Sequence, residues 1–329
     1  MKLSQVIRTS KALINLKLPF FLKGGVGIGK SQAMQQACDS LGIELRDVRL
    51  SQMDPTDIKG FPCPDMVRKI MYWLAADFLP TKGKGLLFLD ELTGAPQAVQ
   101  AASYQLILDR RVGNYTLPPG WSVAGAGNRE IDRSIVNRMP AALANRLIHM
   151  NVEPDLEDYV DYAMKNGIEP LNIAFNRFRP GLLHHFDATQ NPAAFPTPRS
   201  WFTVDKIMKA KIADEDEYEL IKGTIGDDAA GQHRAFMKVV KDLPTTDEIR
   251  LAPDTTKVPV EPSTQHALTT SLSMASSTLT AFDRFMVYVQ RMPVEFQVVY
   301  VRDCLKRLPT LGTNATFTKW SIKHHHVIA

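Results

Sequence analysis

The sequence predicts an α/β fold, with a five-stranded parallel sheet flanked by helices and then an all-α half. Three observations predict it. Short apolar runs alternate with helical patterns through the first half, as in successive βαβ units. Beyond Pro154 helical spacing continues without strand-like runs. A glycine-rich turn joins the first apolar run to the first strong helical stripe.

The expected strands are 20–22, 45–50, 86–89, 122–126 and 147–152. Between the first two, Ala33, Met34, Ala37, Cys38 and Leu41 fall on one face of a helix over 30–41, and Gly42 supplies a left-handed stop. In the second half, 156–166, 170–186 and 199–211 have helical spacing. The stretch 243–277 is rich in Pro, Ser and Thr and reads as a linker, with a last helical unit beyond it holding the aromatic-rich 282–308. The expected division is a core over 1–154, a helical lid over 155–244, and a linker with C-terminal helices over 245–329.

Composition narrows the class without naming a partner. Of the 329 residues, 39 Lys plus Arg against 35 Asp plus Glu give 39 − 35 = +4, and 44% are apolar. Intrinsic disorder, collagen-like fibres and a supercharged arm are excluded on those proportions. No apolar run approaches the roughly 18 residues that span a bilayer, so no membrane is expected. Residues 1–17 lack a signal peptide's continuous apolar stretch. The three cysteines Cys38, Cys63 and Cys304 form neither a disulfide framework nor a metal spacing, and a cytoplasmic location is the expectation.

The segment Gly24, Gly25, Val26, Gly27, Ile28, Gly29, Lys30, Ser31 fits the phosphate-loop pattern of Gly, four residues, Gly, Lys, Ser or Thr. Glycines let the backbone turn its N–H groups toward phosphate oxygens, and the helix that follows adds its positive end. Lys30 then reaches the β and γ phosphates of ATP, and the Ser31 hydroxyl becomes a ligand for Mg2+. The bland alternative is a strand-to-helix turn with a chance lysine. The strand PFFL before it and the helix after it favour the nucleotide reading.

Residues 85–92 read GLLFLDEL, an apolar strand ending in two carboxylates. Asp90 can hold magnesium through water beside Ser31, and Glu91 can polarise the attacking water. Alone this pattern is common, but roughly 60 residues after a phosphate loop it is informative.

On these motifs the chain resembles AAA+ ATPases, and within them the MoxR family of the helix-2-insert clade, over about 17–211. DPTDIKG, residues 54–60, resembles the family's lead into a hairpin inserted in the second helix, and 110–120 resembles the hairpin before the first sensor. The resemblance places Asn128 at sensor 1, Arg146 as the arginine finger reaching a neighbouring subunit's nucleotide, and Arg199 at sensor 2. Each has a structural alternative: a turn Asn in GNRE, a helix-end Arg, and a helix start explained by Thr197 as cap and Pro198 at the first position. Arg138 ranks below Arg146. In the inserted hairpin Tyr72 and Trp73 are either gripping residues or packed beneath it.

The resemblance implies a ring homo-oligomer, a hexamer by analogy. It implies ATP hydrolysis with Mg2+, and chaperone-like remodelling of a client complex with a von Willebrand A domain partner. A DNA-handling ATPase of clamp-loader-like or helicase-like type is the alternative, weakened by the lack of a concentrated basic stripe. A scaffold that binds ATP and hydrolyses little is the third reading, and Glu91 argues against it. His324, His325 and His326 are consecutive, so their side chains diverge and read as a solvated tail.

Overall fold

The computed structural model describes residues 1–129, 139–187 and 192–325. Two compact units divide the chain: Met1–Asp158 with Phe186–Pro192, and Tyr159–His185 with Ala193–Ala329.

The first unit runs α1 (Leu3–Asn15), β1 (Phe20–Gly24), α2 (Lys30–Leu41), β2 (Glu44–Arg49), α3 (Pro55–Lys59), β3 (Phe61–Asp65), β4 (Ile70–Leu74) and β5 (Gly85–Asp90). It continues through α4 (Gln97–Asp109), β6 (Arg111–Val112), β7 (Tyr115–Thr116), β8 (Trp121–Gly127), α5 (Ala141–Ala144) and β9 (Ile148–Val152). The main sheet has the order β2-β5-β8-β1-β9, and every neighbouring pair in it is parallel. All five expected strands are present, each within a residue or two of its expected ends.

Both faces of the sheet are covered at its centre, which is why β1, β5 and β8 read as largely apolar runs, whereas the edge strands β2 and β9 carry polar and exposed residues. Phe20, Leu22, Leu86, Phe88, Ala124 and Ala126 point into one core with Val6 and Met34 of α1 and α2. Phe21, Leu87, Leu89 and Val123 point into the other with Val99 and Leu106 of α4. The alternation along β5 assigns successive residues to opposite layers, as strand geometry requires. The result is the expected parallel α/β sheet flanked by helices, followed in sequence by a helical part.

Two antiparallel hairpins leave this sheet, β3–β4 and β6–β7, at the positions the sequence motifs indicate. In the first, residues 66–69 form the turn. Met66 and Val67 there are 82% and 93% exposed, against 38% for Tyr72. Trp73 is half-buried and lies against the β6–β7 turn, where a Cβ on Gly113 would sit 3.5 Å from the Trp73 Cβ.

The second unit is helical: α6 (Leu156–Lys165, entering from the first unit), α7 (Pro170–Phe178), α8 (Pro198–Lys209), α9 (Asp214–Ile225) and α10 (Asp227–Val240), followed by α11 (Thr246–Leu251), α12 (Pro262–Ala275), α13 (Leu279–Val289), α14 (Val294–Arg307) and α15 (Ala315–Lys323). The helix expected to reach 186 ends at Phe178, where Pro180 opens a 3-10 turn. The expected linker is corrected more deeply, because α12 is a core helix with Leu268 and Leu272 buried. Its Ser and Thr residues suggested a solvated segment, yet Thr264, Ser273 and Ser276 donate to backbone carbonyls of their own neighbourhood. Thr270 accepts from the Arg177 guanidinium at 3.1 Å. That guanidinium also makes a two-pronged pair with Asp303 at 2.7 and 2.8 Å, tying α7, α12 and α14 together in the interior.

Two histidines share this interior. His233 stands against Phe175 and Trp201, and His266 against Phe178 and Phe296. Burial lowers both to about 4, and the Arg177 charge adds to the effect at His266. An unfolded histidine takes its proton near pH 6.5, so each buried ring contributes stability that is complete above that pH and is lost as pH falls toward 4. At 1.36 kcal/mol per unit the loss is roughly 3 kcal/mol per ring. Thermal unfolding followed from pH 7 to pH 4 should show the second unit weakening steeply, and His233→Phe should flatten that limb. An unchanged acid slope in the variant would refute the assignment.

No helix among the described residues is long and apolar enough to cross a membrane.

Candidate nucleotide site

The phosphate loop leaves β1 at Gly24 and enters α2 at Lys30. Gly27 and Gly29 adopt φ of 72° and 95°, the left-handed region that side chains disfavour. Gly24 is required for a different reason: a Cβ there would lie 2.8 Å from the Val152 carbonyl oxygen of β9. Ile28 is buried in the sheet core and anchors the loop. Gly29 caps α2 without a side chain and the first turn carries no acidic residue of its own, so the helix N–H groups and positive end are open to an anion.

Lys30 turns back over this loop. Its Nζ donates to the carbonyls of Gly24 and Gly25, both at 2.9 Å, and to Asn128 Oδ1 at 3.1 Å. Asn128 follows the end of β8, which lies beside β1 in the sheet, so the topology brings two residues 98 positions apart into one hydrogen bond. Ser31 Oγ donates to Asp90 Oδ2 at 2.7 Å. The structure thus gathers Lys30, Ser31, Asp90 and Asn128 at the carboxyl ends of three adjacent strands, where open α/β sheets bind ligands.

Glu91 follows Asp90 at the end of β5 with φ of 56°. A left-handed non-glycine residue costs on the order of 1–2 kcal/mol and marks a position held by its surroundings. The Ser51 hydroxyl donates to Glu91 Oε2. Ser51 lies in no sequence motif. It sits two positions past Arg49, which pairs with Asp90 across β2 and β5. Only the strand order reveals it, since nothing in the sequence says that β2 lies next to β5.

Asp47 on β2 was missed for the same reason. Partial burial and the neighbouring Asp90 push its carboxyl up to about 6, with Arg49 opposing and Glu91 adding a little. Asp47, Asp90 and Glu91 thus lie close enough for their charges to act on one another.

Arg146 lies elsewhere in the unit. It follows α5 and precedes β9, at the amino-terminal edge of the sheet, and its side chain is exposed. Five residues of β1 separate that edge from the loop, about 16 Å at about 3.3 Å per residue. Arg199 belongs to the helical unit as the second residue of α8, exposed, behind the Thr197 cap whose hydroxyl accepts from the Ser200 N–H at 3.0 Å. Arg138 lies outside the described residues.

The hard oxygens of Ser31 and Asp90, side by side at the mouth of the loop, suit a magnesium ion that keeps several waters and takes its other ligands from phosphates. No group of three or more His, Cys, Asp or Glu residues that could hold a metal occurs among the described residues.

No family model matches the chain, and no curated protein matches it. Among solved structures it is similar to NtrX from Brucella abortus in complex with ATP, with 14% identity and a TM-score of 0.43, covering 99% of this chain and 68% of that one. It is also similar to the Holliday junction branch migration motor RuvB of Thermotoga maritima, with 15% identity and a TM-score of 0.39, covering 72% of this chain and 69% of that one. These are likenesses of chain path at low identity, and the function is read from the site.

Proposed function

We propose that this chain is a magnesium-dependent AAA+ ATPase that works as a ring, a hexamer in the simplest case, and uses hydrolysis to remodel a protein complex in the manner of MoxR proteins. The observation that carries the reading is the convergence of Lys30, Ser31, Asp90 and Asn128 at one loop, with Glu91 beside them. In this reading the loop N–H groups and the α2 terminus hold the phosphates of ATP. Lys30 exchanges the Gly24 and Gly25 carbonyls for phosphate oxygens. Ser31 and Asp90 would hold magnesium, whose chemistry when bound is to neutralise charge on the phosphate oxygens.

Glu91 takes up the proton of the attacking water and Asn128 positions that water. Arg146 supplies its charge to the nucleotide of a neighbouring subunit, because its own loop is a full strand length away. Arg199 takes the sensor 2 role in this reading.

A polypeptide client is favoured by the β3–β4 hairpin, whose Phe61, Met66, Val67, Ile70 and Met71 are all exposed. Such a surface suits apolar side chains better than a phosphate backbone. A von Willebrand A domain protein is the proposed partner that presents the client.

Lys30→Ala tests the reading at its base. Loss of charge-assisted bonds to phosphate should weaken ATP binding by about 10- to 100-fold, read by titrating a fluorescent ATP analogue. Binding and turnover equal to wild type would reject the nucleotide site. Turnover stimulated by DNA with a steep salt dependence, and indifferent to protein, would replace the client assignment with the DNA one.

A further inference from the structure

A second concave site lies in the same unit, at the opposite edge of the sheet. A cavity of about 290 Å³ is lined by Lys17, Pro19, Asp109, Arg110, Val123 and Arg146, among others. Pro19 and Val123 mark the amino-terminal ends of β1 and β8, whereas the phosphate loop begins at the other end of β1. Three cations and one carboxylate line it, a formal charge of 3 − 1 = +2.

Two of these cations are held by the fold rather than scattered on it. Lys17, with φ of 57°, donates to the Gly120 carbonyl at 2.8 Å. Arg110, with φ of 57°, donates through Nη2 to the carbonyls of Pro118 and Trp121 at 3.0 and 2.7 Å. Both therefore grip the turn that leads into β8, and both keep donor capacity: an ammonium has three protons and a guanidinium five. The arrangement concentrates like charge. Burial, and then the charges of Arg110 and Lys84, lower the Lys17 pKa, so an anion placed beside it would favour its charged form.

We propose that this pocket receives a phosphate group, contacted by Arg146 and Lys17 and oriented by Arg110, and that the phosphate is the terminal one of a nucleotide held by a second copy of this chain. The inference rests on the reading of Arg146 as acting between subunits, and adds Lys17 as a second cation contributed in trans. The cavity's own phosphate loop is excluded as the source by the length of β1. A phosphate with its three acceptor oxygens matches the clustered donors better than a single carboxylate does.

The test compares Lys17→Gln, Lys17→Arg and Arg146→Ala in the full chain, with ATP turnover, KM for ATP and thermal stability measured on each. Lys17→Gln should lower kcat by about 10- to 100-fold, the worth of one or two charge-assisted bonds, with KM nearly unchanged. Lys17→Arg should retain most of the activity. Mixing Lys17→Gln subunits with Lys30→Ala subunits, which keep an intact pocket, should recover turnover. A merely structural lysine would instead lower thermal stability and fail to recover on mixing.

Normal turnover in Lys17→Gln beside a collapsed Arg146→Ala overturns the proposal and leaves the finger reading standing. Normal turnover in both overturns the reading on which it rests. Inorganic phosphate provides the remaining arm. Thermal protection of the Lys30→Ala protein by phosphate alone, lost when Lys17→Gln is added and with no dependence on protein concentration, would assign the pocket to a free anion and overturn the second-copy source.

Discussion

Glu91→Gln is expected to abolish steady-state ATP hydrolysis, by about 10² to 10⁴-fold, while leaving ATP affinity near wild type. That range is what one positioned general base contributes. The amide keeps the shape of the carboxylate and cannot accept the water's proton. Affinity is spared because Lys30, Ser31 and the loop backbone contact phosphate without it. Ser51 makes this prediction sharper.

Its hydroxyl donates to the Glu91 carboxylate, so the base must exchange that partner for water before it acts. Ser51→Ala removes a bond of about 1 kcal/mol net, and basal turnover should rise by about fivefold. In the Glu91→Gln background the same change should do nothing. A Glu91→Gln protein that turned over like wild type, or a Ser51→Ala effect that survived in that background, would place the base elsewhere.

Arg146→Ala carries the other large effect. A cation supplied in trans to the developing charge on a transferring phosphoryl group is worth about 10³ to 10⁵ in rate. The structure separates Arg146 from its own loop by the length of β1, so a rate loss on that scale requires a second subunit. Nucleotide affinity of the dilute protein should be unaffected, and the specific activity of wild type should fall on dilution as rings dissociate. Specific activity independent of protein concentration, with an unimpaired Arg146→Ala, would make the arginine a surface residue.

The candidate nucleotide site was legible because its chemistry is local. The phosphate loop, the acidic pair and their flanking runs each occupy a few consecutive residues, and the physics of cradling a phosphate fixes their types and spacing. The central strands β1, β5 and β8 were legible for a similar reason, since a sheet covered on both faces leaves largely apolar runs.

Ser51 and Asp47 were not legible, because their roles depend on β2 lying beside β5, a neighbour relation that hydropathy does not encode. Residues 243–277 misled in the opposite direction. Ser and Thr normally mark solvated chain, but in α12 their hydroxyls bond to nearby carbonyls and to the buried Arg177–Asp303 pair, so a polar composition is compatible with a core position. Lys17 carries no motif, and Arg110 opens the expected hairpin over 110–120 without a role of its own there. Only the ends of β1, β8 and α4, brought together by the fold, place them beside Arg146.

The central claim is that a catalytic site on one subunit is completed by the next. It is tested most directly by mixing Arg146→Ala subunits, which keep a working loop, with Lys30→Ala subunits, which keep a working finger, and measuring ATP turnover. Each alone should be inactive. In an equal random mixture about one quarter of the sites in a closed ring pair a sound loop with a sound finger, so turnover should return to about a quarter of wild type. A mixture as inactive as its components, with rings intact, would contradict the account.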